Sequence, residues 1–233
     1  DRSYVSQDSR ARPLAANVRS RGKRLEECAI WSKLSTGSTE VVAISRPGAL
    51  EFIRDNGAIP TFKGYPSSYG PPFPGSICAS VNDVVVHGVP SEDVVLKDGD
   101  IISVDCGTLL NGFNGDSCYT FCVGEVSEDV KKLLRTTKES LYKGIEVAQA
   151  GHHVGDIGQV IQDYCQAQGY GIVRELTGHG IGREMHEEPS VPNYGKRGSG
   201  VLLKAGMCIA IEPMVTMGKR EIGLLPDRWS IVT

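Results

Sequence analysis

Residues 101–122, IISVDCGTLLNGFNGDSCYTFC, decide the fold. Ile101 to Gly107 and the run that begins at Phe113 read as strands, and they flank Asn111-Gly112 and Asn114-Gly115. Asn-Gly between two such runs is a strong hairpin signal, because a two-residue type I′ turn needs positive φ at both central positions. Two acids sit inside this hairpin. Asp105 closes Ile101-Ile102-Ser103-Val104, and Asp116 follows on the returning strand. An ionised carboxylate among buried apolar residues is costly unless it is paired or bound to a metal. Antiparallel pairing would bring the two carboxylates together, and a divalent cation would remove their repulsion. A pair of turn-capping aspartates is the alternative reading.

Working outward, Ser127 predicts the cap of a helix carrying Val130, Leu133, Leu134, Thr137, Leu141, Ile145 and Ala148 at helical spacing, ended by Gly151. Asp156 predicts the cap of a second helix, with Ile157, Val160, Ile161, Tyr164 and Cys165 on one face and Gly169 at its end. Upstream, Leu50 to Asn56 reads as the end of a helix with Gly57 at C′. Residues 60–76 carry Pro60, Pro66, Pro71, Pro72 and Pro74, a long loop of the kind that often bears function. Cys78 to Val86 reads as strand broken by Asn82-Asp83, and further strands are expected at Ile172 to Leu176, Met207 to Glu212 and Trp229 to Val232. Two long helices against many strands predict an α+β fold with antiparallel pairing.

Composition narrows the function. The chain has 233 residues, 25 Lys plus Arg, 28 Asp plus Glu and a net charge of -3. That balance argues against a globally basic nucleic-acid binder. No apolar run approaches the ~20 residues of a membrane span, and no secretory signal pattern opens the chain. Seven cysteines without CxxC pairs argue against a disulfide framework or a zinc ribbon and point to the cytoplasm. Residues 1–24 stand apart, with Arg2, Arg10, Arg12, Arg19, Arg21, Lys23 and Arg24 against Asp1 and Asp8. They read as a solvated, poorly ordered arm, or as a basic arm that touches ribosomal RNA. The chain therefore divides into an atypical, basic segment over 1–49 and a domain over 50–233.

Two further acid or imidazole positions stand out. His179 lies in Thr177-Gly178-His179-Gly180-Ile181-Gly182, where glycines allow close backbone approach. Glu212 closes the apolar run Ile209-Ala210-Ile211. Two Asp, one Glu and one His make an oxygen-rich set with one nitrogen, suited to Mn, Fe, Co or Zn. His87 and His186 stand beside glycine or acids, whereas His152 and His153 fall at a helix boundary.

The motifs VNDVVVHGVP (81–90), ISVDCG (102–107), NGDSCYTF (114–121), TGHGIGREMHEEP (177–189) and GMCIAIEPM (206–214) resemble those of the type I methionine aminopeptidases. The resemblance implies the pita-bread fold, two pseudo-symmetric halves around a dinuclear metal centre. It implies Asp105, Asp116, His179 and Glu212 as ligands of two divalent ions, and His87 and His186 as catalytic histidines. Phe62, Tyr65, Cys78, Met185 and Trp229 fall where the family lines its methionine pocket. The implied activity is removal of the initiator methionine from nascent polypeptides whose second residue is small, by a cytoplasmic monomer with no membrane contact. An inactive pita-bread binding module and a truncated fragment are the alternatives. Two departures accompany the likeness. The family's fifth ligand, a Glu on a last strand, has no counterpart after Trp229–Thr233, and residues 1–49 lack the family's opening pattern. The expectation is a centre short of one ligand, with a central sheet edge left unpaired.

Overall fold

A computed structural model describes residues 5–7, 9–13, 47–68 and 70–233, with side chains from residue 48 onward. In chain order the elements are β1 (Val5–Gln7), β2 (Ser9–Pro13), α1 (Pro47–Asp55), β3 (Ile59–Pro60), β4 (Cys78–Val81), β5 (Val84–Val86), β6 (Ile101–Leu110), β7 (Phe113–Cys122), α2 (Glu128–Val147), α3 (Val154–Ala167), β8 (Gly171–Ile172), β9 (Gly178–Gly180), β10 (Glu187–Val191), β11 (Cys208–Ile211), β12 (Met214–Thr216), β13 (Gly223–Leu224) and β14 (Ile231–Val232). The expected hairpin is the centre of the molecule. β6 and β7 pair antiparallel without a break from Ile101↔Cys122 to Leu110↔Phe113. Asn111 (φ 53) and Gly112 (φ 78) supply the two positive-φ positions of its turn.

The main sheet runs β10-β9-β11-β2-β7-β6-β3, and β4 also pairs with β6. Smaller sheets run β1-β12-β8 and β13-β14-β5. The central edge expected to be unpaired is therefore filled. Residues 9–13, expected as part of a solvated arm, form β2, which pairs antiparallel with β11 on one side and with β7 on the other. A strand in that gap satisfies backbone donors and acceptors on both neighbours, which outweighs its weak intrinsic pattern. α1 spans the boundary expected at residue 50. Residues 14–46 lie outside the described residues.

Both long helices form where the spacing places them. Ser127 caps α2, its side chain accepting from Val130 N at 3.3 Å. The cap of α3 is His153, not Asp156. Asp156 sits in the first turn and its Oδ2 accepts from His153 N at 2.7 Å, so the helix starts earlier than the sequence suggests. Leu133 and Leu141 of α2 and Ile157 and Ile161 of α3 meet Ile209, Ile211 and Val215 in one buried cluster. Each such fully buried side chain contributes about 1.5–3 kcal/mol, so this cluster clamps the β11–β12 region under the helices.

Candidate metal centre and substrate cavity

Pairing puts the expected ligands on neighbouring strands. Asp105 lies opposite Cys118 and Gly107 opposite Asp116 in the β6–β7 ladder. His179 lies opposite Ala210 in the β9–β11 ladder, and Glu212 follows the last residue of β11. The glycines around His179 are required by close backbone approach. A Cβ on Gly178 would run into Ala210 O, and one on Gly180 into Glu188 O.

His179 Nε2 is 3.1 Å from Glu212 Oε1 and 3.4 Å from Asp116 Oδ2. Its Nδ1 is 2.8 Å from Gly180 O, so Nδ1–H donates to that carbonyl and Nε2 faces the carboxylates. Ligand atoms of Asp116, His179 and Glu212 all lie within 4.8 Å of one another. Asp105 is not one of those three, but it lines the same cavity. Burial, then the charges of Asp116 and Glu212, raise its carboxyl well above the ordinary range. Burial also raises Glu212. Burial opposes charge on His179, but bonds to Asp116 and Glu212 prevail and push it up to about 10.

Asp105 Oδ1 and Asp116 Oδ1 are out of solvent contact and make no hydrogen bond, and Glu212 Oε1, equally buried, has only the His179 ring beside it. Buried carboxylate oxygens without partners, crowded by like charge, are the donor set that a hard or borderline dication satisfies. The residues fit divalent metal.

A cavity of about 340 Å³ opens on this cluster. Of the five residues expected to line a side-chain pocket, Phe62, Tyr65, Cys78 and Trp229 form its wall. Met185 is buried but is not part of that wall. It meets position 107 together with Phe62, and its sulfur takes a contact from Thr61 Oγ1 at 3.5 Å. The wall also includes Phe73, Val86, Glu175, Leu176, Thr177 and Met214, which sequence reasoning missed. Phe73 carried one usable signal, an aromatic residue inside a proline-rich loop. It stacks edge-on against Trp229 at 5.1 Å between ring centres.

Both expected catalytic histidines face the same cavity. His186 lies 4.2 Å from the His179 ring, and its Nδ1 is 2.6 Å from Tyr65 Oη. Burial and the neighbouring His179 push it down to about 4. His87 sits in a left-handed backbone conformation (φ 57) edge-on to Trp229, and burial lowers its pKa. Both imidazoles are therefore neutral at neutral pH. Burial raises the Cys78 thiol well above its ordinary value, so the wall at that point is uncharged.

Comparison with known proteins identifies the family. The pattern of Metallopeptidase family M24 matches residues 40–230. The methionine aminopeptidase of Clostridium acetobutylicum is 51% identical over 185 residues, which cover 79% of this chain and 72% of that protein. Methionine aminopeptidase 1 of Bacillus subtilis is 50% identical over the same length and shares. The crystal structure of methionine aminopeptidase from Rickettsia prowazekii superposes with a TM-score of 0.82 at 38% identity, covering 88% of this chain and 81% of that one. A Xaa-Pro dipeptidase from Bacillus anthracis, 23% identical with a TM-score of 0.58, shares the fold alone. With these matches and a buried Asp, His and Glu cluster at its centre, the chain belongs to metallopeptidase family M24, among the type I methionine aminopeptidases.

Proposed function

We infer that this protein is a metal-dependent aminopeptidase that releases methionine from the N-terminus of polypeptides. The observation that carries the reading is the junction of an oxygen-rich ligand cluster and a group of aromatic and aliphatic side chains within one 340 Å³ cavity. Asp105, Asp116, His179 and Glu212 would hold divalent metal. When bound, such an ion polarises a carbonyl and lowers the pKa of water, which supplies a nucleophile near neutral pH.

The chain's own residues account for orientation and specificity. Phe62, Tyr65, Phe73, Cys78 and Trp229 form the part of the wall suited to an unbranched, polarizable thioether. Tyr65 Oη and His186 Nδ1 are 2.6 Å apart, and a Tyr65 O–H that donates there would put the ring's proton on Nε2. The Nε2–H is then a fixed donor for an oxyanion that develops on the scissile carbonyl. His87, neutral and edge-on to Trp229, would hydrogen-bond the scissile amide. Preference for a small second residue and action on nascent chains belong to the same reading and rest on the motif set. The ribosome-contact expectation rests on Arg2, Arg19, Arg21, Lys23 and Arg24, which lie outside the described residues. Arg10 and Arg12 lie within β2.

The test is release of the first residue from Met-Ala-Ser, Met-Leu-Ser, Leu-Ala-Ser and Pro-Ala-Ser peptides by the metal-loaded enzyme. Release from Met-Ala-Ser alone is expected. Equal release from peptides that open with Met, Leu and Pro rejects the reading.

A further inference from the structure

The two strands next to the ligands from opposite sides of the sheet, β7 and β11, do not pair with each other. β2 lies between them and is paired with both. Its register on β11 continues that of β1 on β12, from Val5↔Thr216 and Gln7↔Met214 to Arg10↔Ile211 and Pro13↔Cys208. The two registers are in phase, and extending that of β2 by one position would set Ser9 opposite Glu212. On its other side Ser9 is opposite Cys118, which is opposite Asp105. Ala11 is opposite Ala210, which is opposite His179, and the β7 register sets it opposite Asp116. The four ligand positions thus occupy two rows of the sheet, with β2 the middle strand in both.

We infer that residues 5–13 form a built-in positioning strand of the metal centre, coupled to cation binding. The inference rests on the metal reading of the cluster. Paired strands stand about 4.7–4.9 Å apart, so β7 and β11 are two such spacings apart, and backbone bonds through β2 are what hold that separation. Three carboxylates repel across this seam. A cation drawn to both sides pulls them onto the strand, and docking of the strand must strengthen cation binding by the same factor. Neither row position on β2 is acidic. Ser9 and Ala11 occupy them, so the centre draws its negative charge from Asp105, Asp116 and Glu212.

The test uses the intact chain first. Hydrogen exchange is followed by mass spectrometry with and without Mn²⁺, and Mn²⁺ binding is titrated calorimetrically. Amides of residues 5–12 should be protected, and protection should rise roughly tenfold on saturation with Mn²⁺. Ala11→Pro removes an N–H from a doubly paired strand and should weaken Mn²⁺ binding roughly tenfold. Mn²⁺ binding by an intact chain whose residue 5–12 amides exchange as in an unstructured peptide overturns the inference and leaves the metal reading standing. No Mn²⁺ binding by the intact chain overturns the metal reading, and the coupling with it. If Ala11→Pro does not fold, exchange on the intact chain decides.

Discussion

Tyr65 Oη stands 2.6 Å from His186 Nδ1, across 121 residues of chain, and this bond ties the orientation of the imidazole to the loop that carries Tyr65. Tyr65→Phe removes the donor and leaves the imidazole tautomer unconstrained. Turnover of a Met-Ala-Ser peptide should fall by roughly 10–10²-fold, and His186→Ala should cost roughly 10²–10³ in kcat. Metal content should stay unchanged in both. Loss of metal in the His186 variant would reassign that ring as a ligand.

Asp105 and Asp116 repel in the metal-free protein, which separates function from stability at this site. Asp105→Asn removes a ligand charge that a dication needs and at the same time relieves the crowding that raises Asp105. Mn²⁺ binding should collapse, while the metal-free melting temperature should rise. A gain of about 1 kcal/mol corresponds to about 2–4 °C at this chain length. Unchanged metal stoichiometry in Asp105→Asn and Asp116→Asn would remove both residues from the ligand set.

The same groups set a pH dependence. His179 is pushed up to about 10 from its ordinary 6.5 when folded without metal. Its contribution to stability is complete below 6.5 and is lost as pH rises through about 10. Asp105 and Glu212 are also raised on folding. They therefore cost stability once pH passes the ordinary carboxylate range. All three signs agree, because the folded metal-free state holds more protons than the unfolded chain. Its melting temperature should fall between about pH 6 and about pH 10. Mn²⁺ must displace those protons, so its apparent affinity should rise over the same interval. Calorimetry in buffers of different ionisation enthalpy checks this, and the absence of proton release would contradict it.

Two glycine substitutions should part company. A Cβ at Gly178 meets the backbone carbonyl of Ala210, which cannot step aside without breaking the β9–β11 pairing. Gly178→Ala should cost about 1–3 kcal/mol and lose metal through displacement of His179. A Cβ at Gly107 meets Phe62 Cε1 at 2.5 Å, Thr61 Oγ1 at 2.6 Å and Met185 Cε at 2.9 Å, all side-chain atoms rather than backbone. Gly107→Ala should keep metal and most of its stability while raising KM for methionyl peptides, since Phe62 lines the pocket. Thermal melts, metal analysis and steady-state kinetics on the pair distinguish the two cases, and equal behaviour would refute the distinction.

Much of this protein is legible in its sequence because the signals are local. Asn111-Gly112 reads as a turn through its own backbone preferences, and Ser127 reads as a cap through its own side chain. Asp105, Asp116 and Glu212 draw notice because an acid next to an apolar strand demands a partner. The five ordered motifs then point to the family. Other features depend on groups distant in the chain, and only the tertiary structure decided them. His153 rather than Asp156 caps α3 because Asp156 turns back to accept from His153 N and also accepts from Gly198 N at 2.7 Å. Phe73 enters the cavity wall because its loop carries it to Trp229, and Met185 stays out because Thr61 and Phe62 hold it beside β6. The largest difference is β2. Ser9–Pro13 has little strand character of its own and reads as a basic arm, yet it is the middle strand of the metal centre. Its place comes from the unpaired backbone edges of β7 and β11, which come from segments about a hundred and two hundred residues away, and no local pattern records a demand made by another strand's edge.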